Sequence, residues 1–246
     1  VIEDLYTKMD GLVGRVASGL GEKGVLFVMS DHGFKSFRRG VNLNSWLHQN
    51  GYLALTPGKT ESREWFKDVD WTRTKAYALG LGGLYLNLQG RESQGIVQPG
   101  AGATALKAEL GRQLTSLKDD GNGPAAITHV YDRDAVYAGP YKDNAPDLII
   151  GYNEGYRASW DGVTGIVNAV VIEDNIKAWS GDHCIDPALV PGVIFSNLKL
   201  KISSPSIMDV APTVLELFGI APPAHMDGRG LVDVAGLSGA KQGKTS

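Results

Sequence analysis

The run Val25-Leu26-Phe27-Val28-Met29 is the stretch that most narrows what this chain can become. Continuous, apolar and rich in β-branched and aromatic residues, it reads as a strand buried on both faces, and it stops at the polar turn Ser30-Asp31-His32-Gly33. Ahead of it, Leu5, Met9, Leu12, Val13 and Val16 recur at spacings of three and four, which predicts an amphipathic helix over 1–19 closed by Gly21 and Gly24. Helix, short loop, buried strand and polar turn is an α/β order.

The same patterns predict a short helix over 42–49, with Leu43, Trp46 and Leu47 on one face and Gly51 as its stop. Residues 52–55 read as extended, and 58–74 as a polar surface excursion with Trp65, Phe66 and Trp71 as anchors. A strand interrupted by Gly80, Gly82 and Gly83 is expected over 76–88, and a helix over 103–117 aligns Leu106, Leu110, Leu114 and Leu117. Residues 125–131 and 148–152 are further strand candidates. Ser206-Ile207-Met208-Asp209 resembles a capping box, after which Val210, Val214, Leu217 and Phe218 form a buried stripe ended by Gly219. No repeat or composition shift divides the chain, so 1–235 reads as one domain and 236–246 as a flexible tail.

Composition excludes several classes of function. At 246 residues, 43% hydrophobic and 21% charged, the chain is long enough to bury a large core, and disorder is excluded. Lys+Arg 24 against Asp+Glu 27 leaves no basic excess to neutralise a phosphate backbone, so nucleic acid is not expected as a partner. Gly supplies 32 residues, which favours tight turns over an all-helical bundle. The apolar runs fall far short of the roughly 18–20 residues needed to span a membrane. Cys184 is the single cysteine and allows no intrachain disulfide, which leaves the compartment open with a lean to the cytoplasm. The chain opens at Val1 inside a helical pattern, which suggests a processed or fragmentary polypeptide.

Two loops carry the residues suited to chemistry. Ser30-Asp31-His32-Gly33 follows a strand, and ligands of open α/β sheets bind at the carboxyl ends of strands. Adjacent residues cannot form a nucleophile–base–orienter chain, which excludes a serine-protease triad, whereas Asp with His suits a hydrolytic divalent metal. The alternative is a turn capped by Asp31 with His32 at the surface. Ser180-Gly181-Asp182-His183-Cys184-Ile185-Asp186 supplies a second His with two carboxylates, or an Asp-capped surface turn. A catalytic Cys184–His183 pair is disfavoured, because neighbours in sequence rarely present thiolate and base to one another. His48 and His129 read as structural and His225 as a packing or capping residue. Arg157, after a strand, could pair an anion, and Trp160 beside it is a second candidate for substrate contact.

Together, Val25 to Phe34, Ser180 to His183, and Ile207 to Leu215 through Asp227-Gly228-Arg229 resemble the type I phosphodiesterase/nucleotide pyrophosphatase branch of the alkaline phosphatase superfamily. Within it, the chain is similar to the bacterial and archaeal group of predicted phosphohydrolases or phosphomutases. The resemblance implies a three-layer α/β sandwich, with a mixed, mostly parallel sheet and helices on both faces, and an insertion within about 56–179. It also implies two divalent metals, zinc or alternatively manganese, and a Ser or Thr nucleophile that forms a covalent phospho-enzyme.

By that resemblance Asp31 and His32 match the ligands of the metal next to the nucleophile and His183 a ligand of the other, with Asp182 and Asp186 as supporting carboxylates. The family's nucleophile and remaining ligands fall ahead of the opening helix, so the chain resembles the C-terminal half, and the other half is the expected partner. The implied reaction is hydrolysis of a small-molecule phosphate ester, with this polypeptide inactive alone. A phosphomutase, a sulfatase or phosphonate hydrolase of the same superfamily, or a non-catalytic binding domain are the alternatives.

Overall fold

The computed structural model describes residues 1–21, 24–119, 121 and 123–233; the expected tail at 236–246 lies outside the described residues. In chain order the elements are α1 (Ile2–Gly19), β1 (Phe27–His32), β2 (Lys35–Val41), α2 (Leu43–Gln49), β3 (Ala76–Leu79), β4 (Gly83–Leu86), α3 (Ala101–Leu114) and β5 (Ile127–Asp132). They continue with α4 (Arg133–Val136), β6 (Leu148–Tyr152), β7 (Gly155–Ala158), α5 (Trp160–Val163), β8 (Ile172–Asp174), β9 (Gly181–Asp182), β10 (Pro191–Ser196) and α6 (Val210–Leu217). The chain is mixed α/β and forms two compact units, residues 1–33 with the segment from Gly192 onward, and residues 34–191.

In the first unit the expected helix forms as α1, yet none of its residues is buried, and Leu5, Met9, Leu12 and Val16 are exposed. The expected doubly buried strand is corrected: β1 is half-buried to exposed. Its sheet has two strands, with β10 as the partner, and one neighbour cannot cover both faces. Ser30, Asp31 and His32, expected in a turn, continue this strand, because pairing with β10 carries on past Met29 and Val193 N–H donates to Ser30 Oγ (3.2 Å). Further on, the capping box forms as predicted. Ser206 caps Met208 N–H, the Asp209 carboxylate accepts from Ser206 N–H, and its other oxygen accepts from Arg229 N–H, which ties the chain after α6 back to the helix start.

The second unit holds the hydrophobic core, in which Leu47, Leu53, Leu84, Leu110, Leu114 and Ile127 are fully buried. Asn42 caps α2 through Ser45 N–H, and Leu43, Trp46 and Leu47 are buried as expected. Residues 52–55 form no strand; Leu55 makes an isolated bridge to Val69. The glycine-interrupted strand is a hairpin of β3 and β4, within a sheet ordered β3-β4-β6-β5 whose pairings are all antiparallel. The second sheet is ordered β7-β2-β8, with β9 also on β2, and here β2–β7 is parallel while β8 and β9 are antiparallel to β2. The expectation of a mostly parallel sheet is therefore corrected to largely antiparallel pairing. Short connections such as 80–82 can only return a strand antiparallel, whereas the parallel β2–β7 pair spans the long crossover from α2 to β6.

Asp186 joins the two sheets' loops. It is 1% exposed, and its carboxylate accepts from Ala188 N–H (2.9 Å), Thr128 Oγ1 (2.9 Å), His129 Nδ1 (2.5 Å) and Tyr131 Oη (3.1 Å). Its own N–H donates to the Tyr152 carbonyl (2.9 Å). The fit depends on Gly151, since a Cβ there would lie 2.5 Å from Asp186 Oδ2. Burial works against ionisation of Asp186, but the donors around it outweigh burial and hold its pKa below the usual carboxylate range.

Replacing Asp186 with Ala removes a buried carboxylate that accepts from four donors and should cost about 2–4 kcal/mol in urea unfolding. Because the folded pKa is depressed, the stabilisation is present above the unfolded value of about 4 and is lost as pH falls through the folded value. Urea midpoints measured from neutral to acidic pH should therefore fall more steeply for the native chain than for Asp186→Asn. Gly151→Ala should cost about 1–3 kcal/mol by the same assay, through overpacking against Asp186.

Candidate functional site

In the first unit, Asp31 and His32 are consecutive residues at the end of β1. His32 Nδ1 lies 2.9 Å from the Gly33 carbonyl, which can only accept, so the ring hydrogen belongs on Nδ1. Nε2 lies 3.7 Å from Asp31 Oδ1. An imidazole nitrogen and a carboxylate oxygen side by side, with the other imidazole nitrogen bound to a backbone carbonyl, are residue types that suit a divalent cation.

In the second unit, β9 lies on β2 with Lys35 opposite Asp182, and the chain leaves the sheet at His183. Asp182 is 5% exposed; its Oδ1 accepts from the N–H groups of His183 (2.7 Å) and Cys184 (3.0 Å), and its Oδ2 sits 2.9 Å from Arg157 Nη1. Burial opposes its ionisation, but those two N–H groups and Arg157 prevail and lower its pKa. His183 is half-exposed and packs edge-to-face on Phe34 at 5.5 Å. One ligand atom each from Asp182, His183 and Cys184 fall within 4.8 Å of one another, a nitrogen, oxygen and sulfur set compatible with zinc.

The Cys184 thiol is pushed up to about 11, first by burial and then by Asp182, so it remains protonated. That opposes a nucleophilic role, in line with the reading of the sequence, and among the three donors it sets Cys184 apart from Asp182 and His183.

Arg157, on β7 opposite Gly40 of β2, is 2% exposed. Its contact with Asp182 is a close ion pair without hydrogen-bond alignment, and Nε and Nη1 have no hydrogen-bond partner. Its guanidinium lies 4.3 Å from the Trp160 ring centroid and 5.1 Å from that of Phe37, and Lys177 Nζ lies 4.8 Å from the Trp160 ring. Arg157 and Trp160 together line a cavity of 180 Å³. The fold thus brings Arg157 to Asp182, whereas Asp186 turns away toward His129. His129, read from the sequence as structural, is the residue whose link to Asp186 only the strand register reveals. His48 is structural as expected, with Nδ1 3.0 Å from the Leu53 carbonyl.

No helix among the described residues is long and apolar enough to cross a membrane. Comparison with curated proteins and with solved structures gave no match. The family described as Type I phosphodiesterase / nucleotide pyrophosphatase matches residues 1–162, a span that contains Asp31, His32, Arg157 and Trp160 and stops ahead of His183. That family consists of phosphoric ester hydrolases and is typically metal-dependent. With two-thirds of its length matched, the chain belongs to the type I phosphodiesterase/nucleotide pyrophosphatase family.

Proposed function

We propose that this chain forms part of a metal-dependent phosphodiesterase or nucleotide pyrophosphatase acting on a small-molecule phosphate ester. The observation that carries the reading is the family match across the Asp31-His32 pair. In it, Asp31 and His32 hold one divalent ion and His183 contributes to a second, with zinc favoured by the donor chemistry and manganese the alternative. Bound metals of this kind would polarise the phosphoryl oxygens and favour ionisation of a nucleophile.

The chain's own residues position these ligands. The Gly33 carbonyl orients the His32 ring, and Asp182 grips the backbone of His183 and Cys184. Arg157 holds Asp182 in its ionised form, and the cavity it shares with Trp160 is proposed as the place where the organic part of the ester rests. Asp186 supports the same loop three residues on. The Ser or Thr nucleophile and the remaining ligands belong, in this proposal, to the family's N-terminal half. That half would also cover the exposed apolar stripe of α1 and extend the sheet at β1.

Assayed together with that half, the chain should hydrolyse bis(p-nitrophenyl) phosphate, and chelation should abolish turnover until zinc or manganese is restored. Asp31→Ala, His32→Ala and His183→Ala should each lower the rate by about 100-fold or more and reduce bound metal measured by mass spectrometry. Cys184→Ser should leave the rate nearly unchanged. Full metal loading in Asp31→Ala and His183→Ala would overturn the ligand assignment, and robust turnover by the 246-residue chain alone would overturn the placement of the nucleophile.

A further inference from the structure

In the second unit, Phe66, Trp71 and Tyr77 meet at steep angles. Their ring centroids lie 5.4 Å (Phe66–Trp71), 5.6 Å (Phe66–Tyr77) and 5.1 Å (Trp71–Tyr77) apart, with interplanar angles of 65°, 82° and 89°. All three rings are half-buried and line a cavity of 310 Å³. They pack against the core of the second unit on their other side.

Backbone strain accompanies the arrangement. Trp65 and Phe66 both have positive φ, 60° and 56°, a left-handed conformation that bulky residues adopt only when the surroundings compel it. The Phe66 ring occupies the space that Gly165 leaves empty, since a Cβ at Gly165 would lie 2.7 Å from that ring.

The polar lining of the cavity is Asn87, Glu92, Ser93 and Gln94. Glu92 is the one charged residue lining it. Its carboxylate is fixed by Tyr77 Oη (3.2 Å), Leu88 N–H (2.8 Å) and Arg91 Nε (2.8 Å), while Arg91 is itself chelated by both oxygens of Asp147. Asn87, fully buried in the wall, donates through Nδ2 to the carbonyls of Trp71, Thr74 and Gln94, which fixes the orientation of its amide. Its Oδ1 is buried and has no hydrogen-bond donor within the protein. Three aromatic rings and a carboxylate therefore line the same space, and the electron-rich faces of such rings attract a cation.

We propose that this corner is a binding site for an organic ammonium ion, of the quaternary or methylated amine class. The rings would enclose the cationic head, and Glu92 would supply the counter-charge. The site is independent of the phosphoester chemistry and does not rest on it.

The test is isothermal titration of the chain with tetramethylammonium and with choline, against 3,3-dimethylbutan-1-ol, the neutral carbon counterpart of choline. Saturable binding of both cations, about tenfold or more tighter than the alcohol, is expected. Trp71→Leu should abolish binding, Glu92→Gln should weaken it several-fold, and Tyr77→Phe, which keeps the ring, should retain it. If circular dichroism shows Trp71→Leu unfolded, the Glu92→Gln and Tyr77→Phe pair decides. Equal affinity for the alcohol, unchanged affinity in Glu92→Gln, or the absence of saturable heat with either cation would overturn the proposal.

Discussion

A carboxylate taken out of water must find donors or a cation, and the second unit contains two such groups on either side of His183. Asp182 is satisfied from one sheet, by Arg157 of β7 and by the backbone at the end of β9. Asp186 is satisfied from the other, by Thr128, His129 and Tyr131 of β5. Because desolvation penalises any arrangement that leaves either oxygen pair unmet, the loop from 182 to 186 has little freedom, and the position of His183 follows from that constraint. The same pairing explains why Arg157 is buried: its charge is balanced by Asp182, and its flat faces lie on Phe37 and Trp160.

The first unit is built differently. Its strand β1 has a single neighbour, and the apolar stripe of α1 is exposed, so it contributes little to the core of the described chain. What it does hold is the Asp31-His32 pair, together at the end of that strand and within the span that matches the family. The supports of the proposed ligands are local: a backbone carbonyl for His32, backbone N–H groups for Asp182. The aromatic corner at Phe66, Trp71 and Tyr77 is separate in kind, since rings rather than Asp, His and Cys side chains dominate its lining.

Much of the architecture was legible in the residues themselves. The helix at 42–49, the strand at 148–152 and the capping box at Ser206 follow from local rules of periodicity and capping, whereas the strand read over 76–88 folds back on itself at its glycines as a hairpin. The strands β7, β8 and β9 were not legible, because they are two to four residues long and exist through pairing with β2 rather than through any pattern of their own. The doubly buried strand at 25–29 failed for a related reason. An apolar run states a demand for burial, and only the neighbours decide whether it is met.

By itself, then, the sequence determined the α/β class, the family, and the residue types able to hold a metal, because these depend on side-chain chemistry and near-neighbour spacing. Tertiary structure alone decided that Asp186 serves His129, that Arg157 serves Asp182, and that three aromatic rings form a corner. Those relations join residues distant along the chain, and their energies come from burial and strand register, which no local pattern encodes.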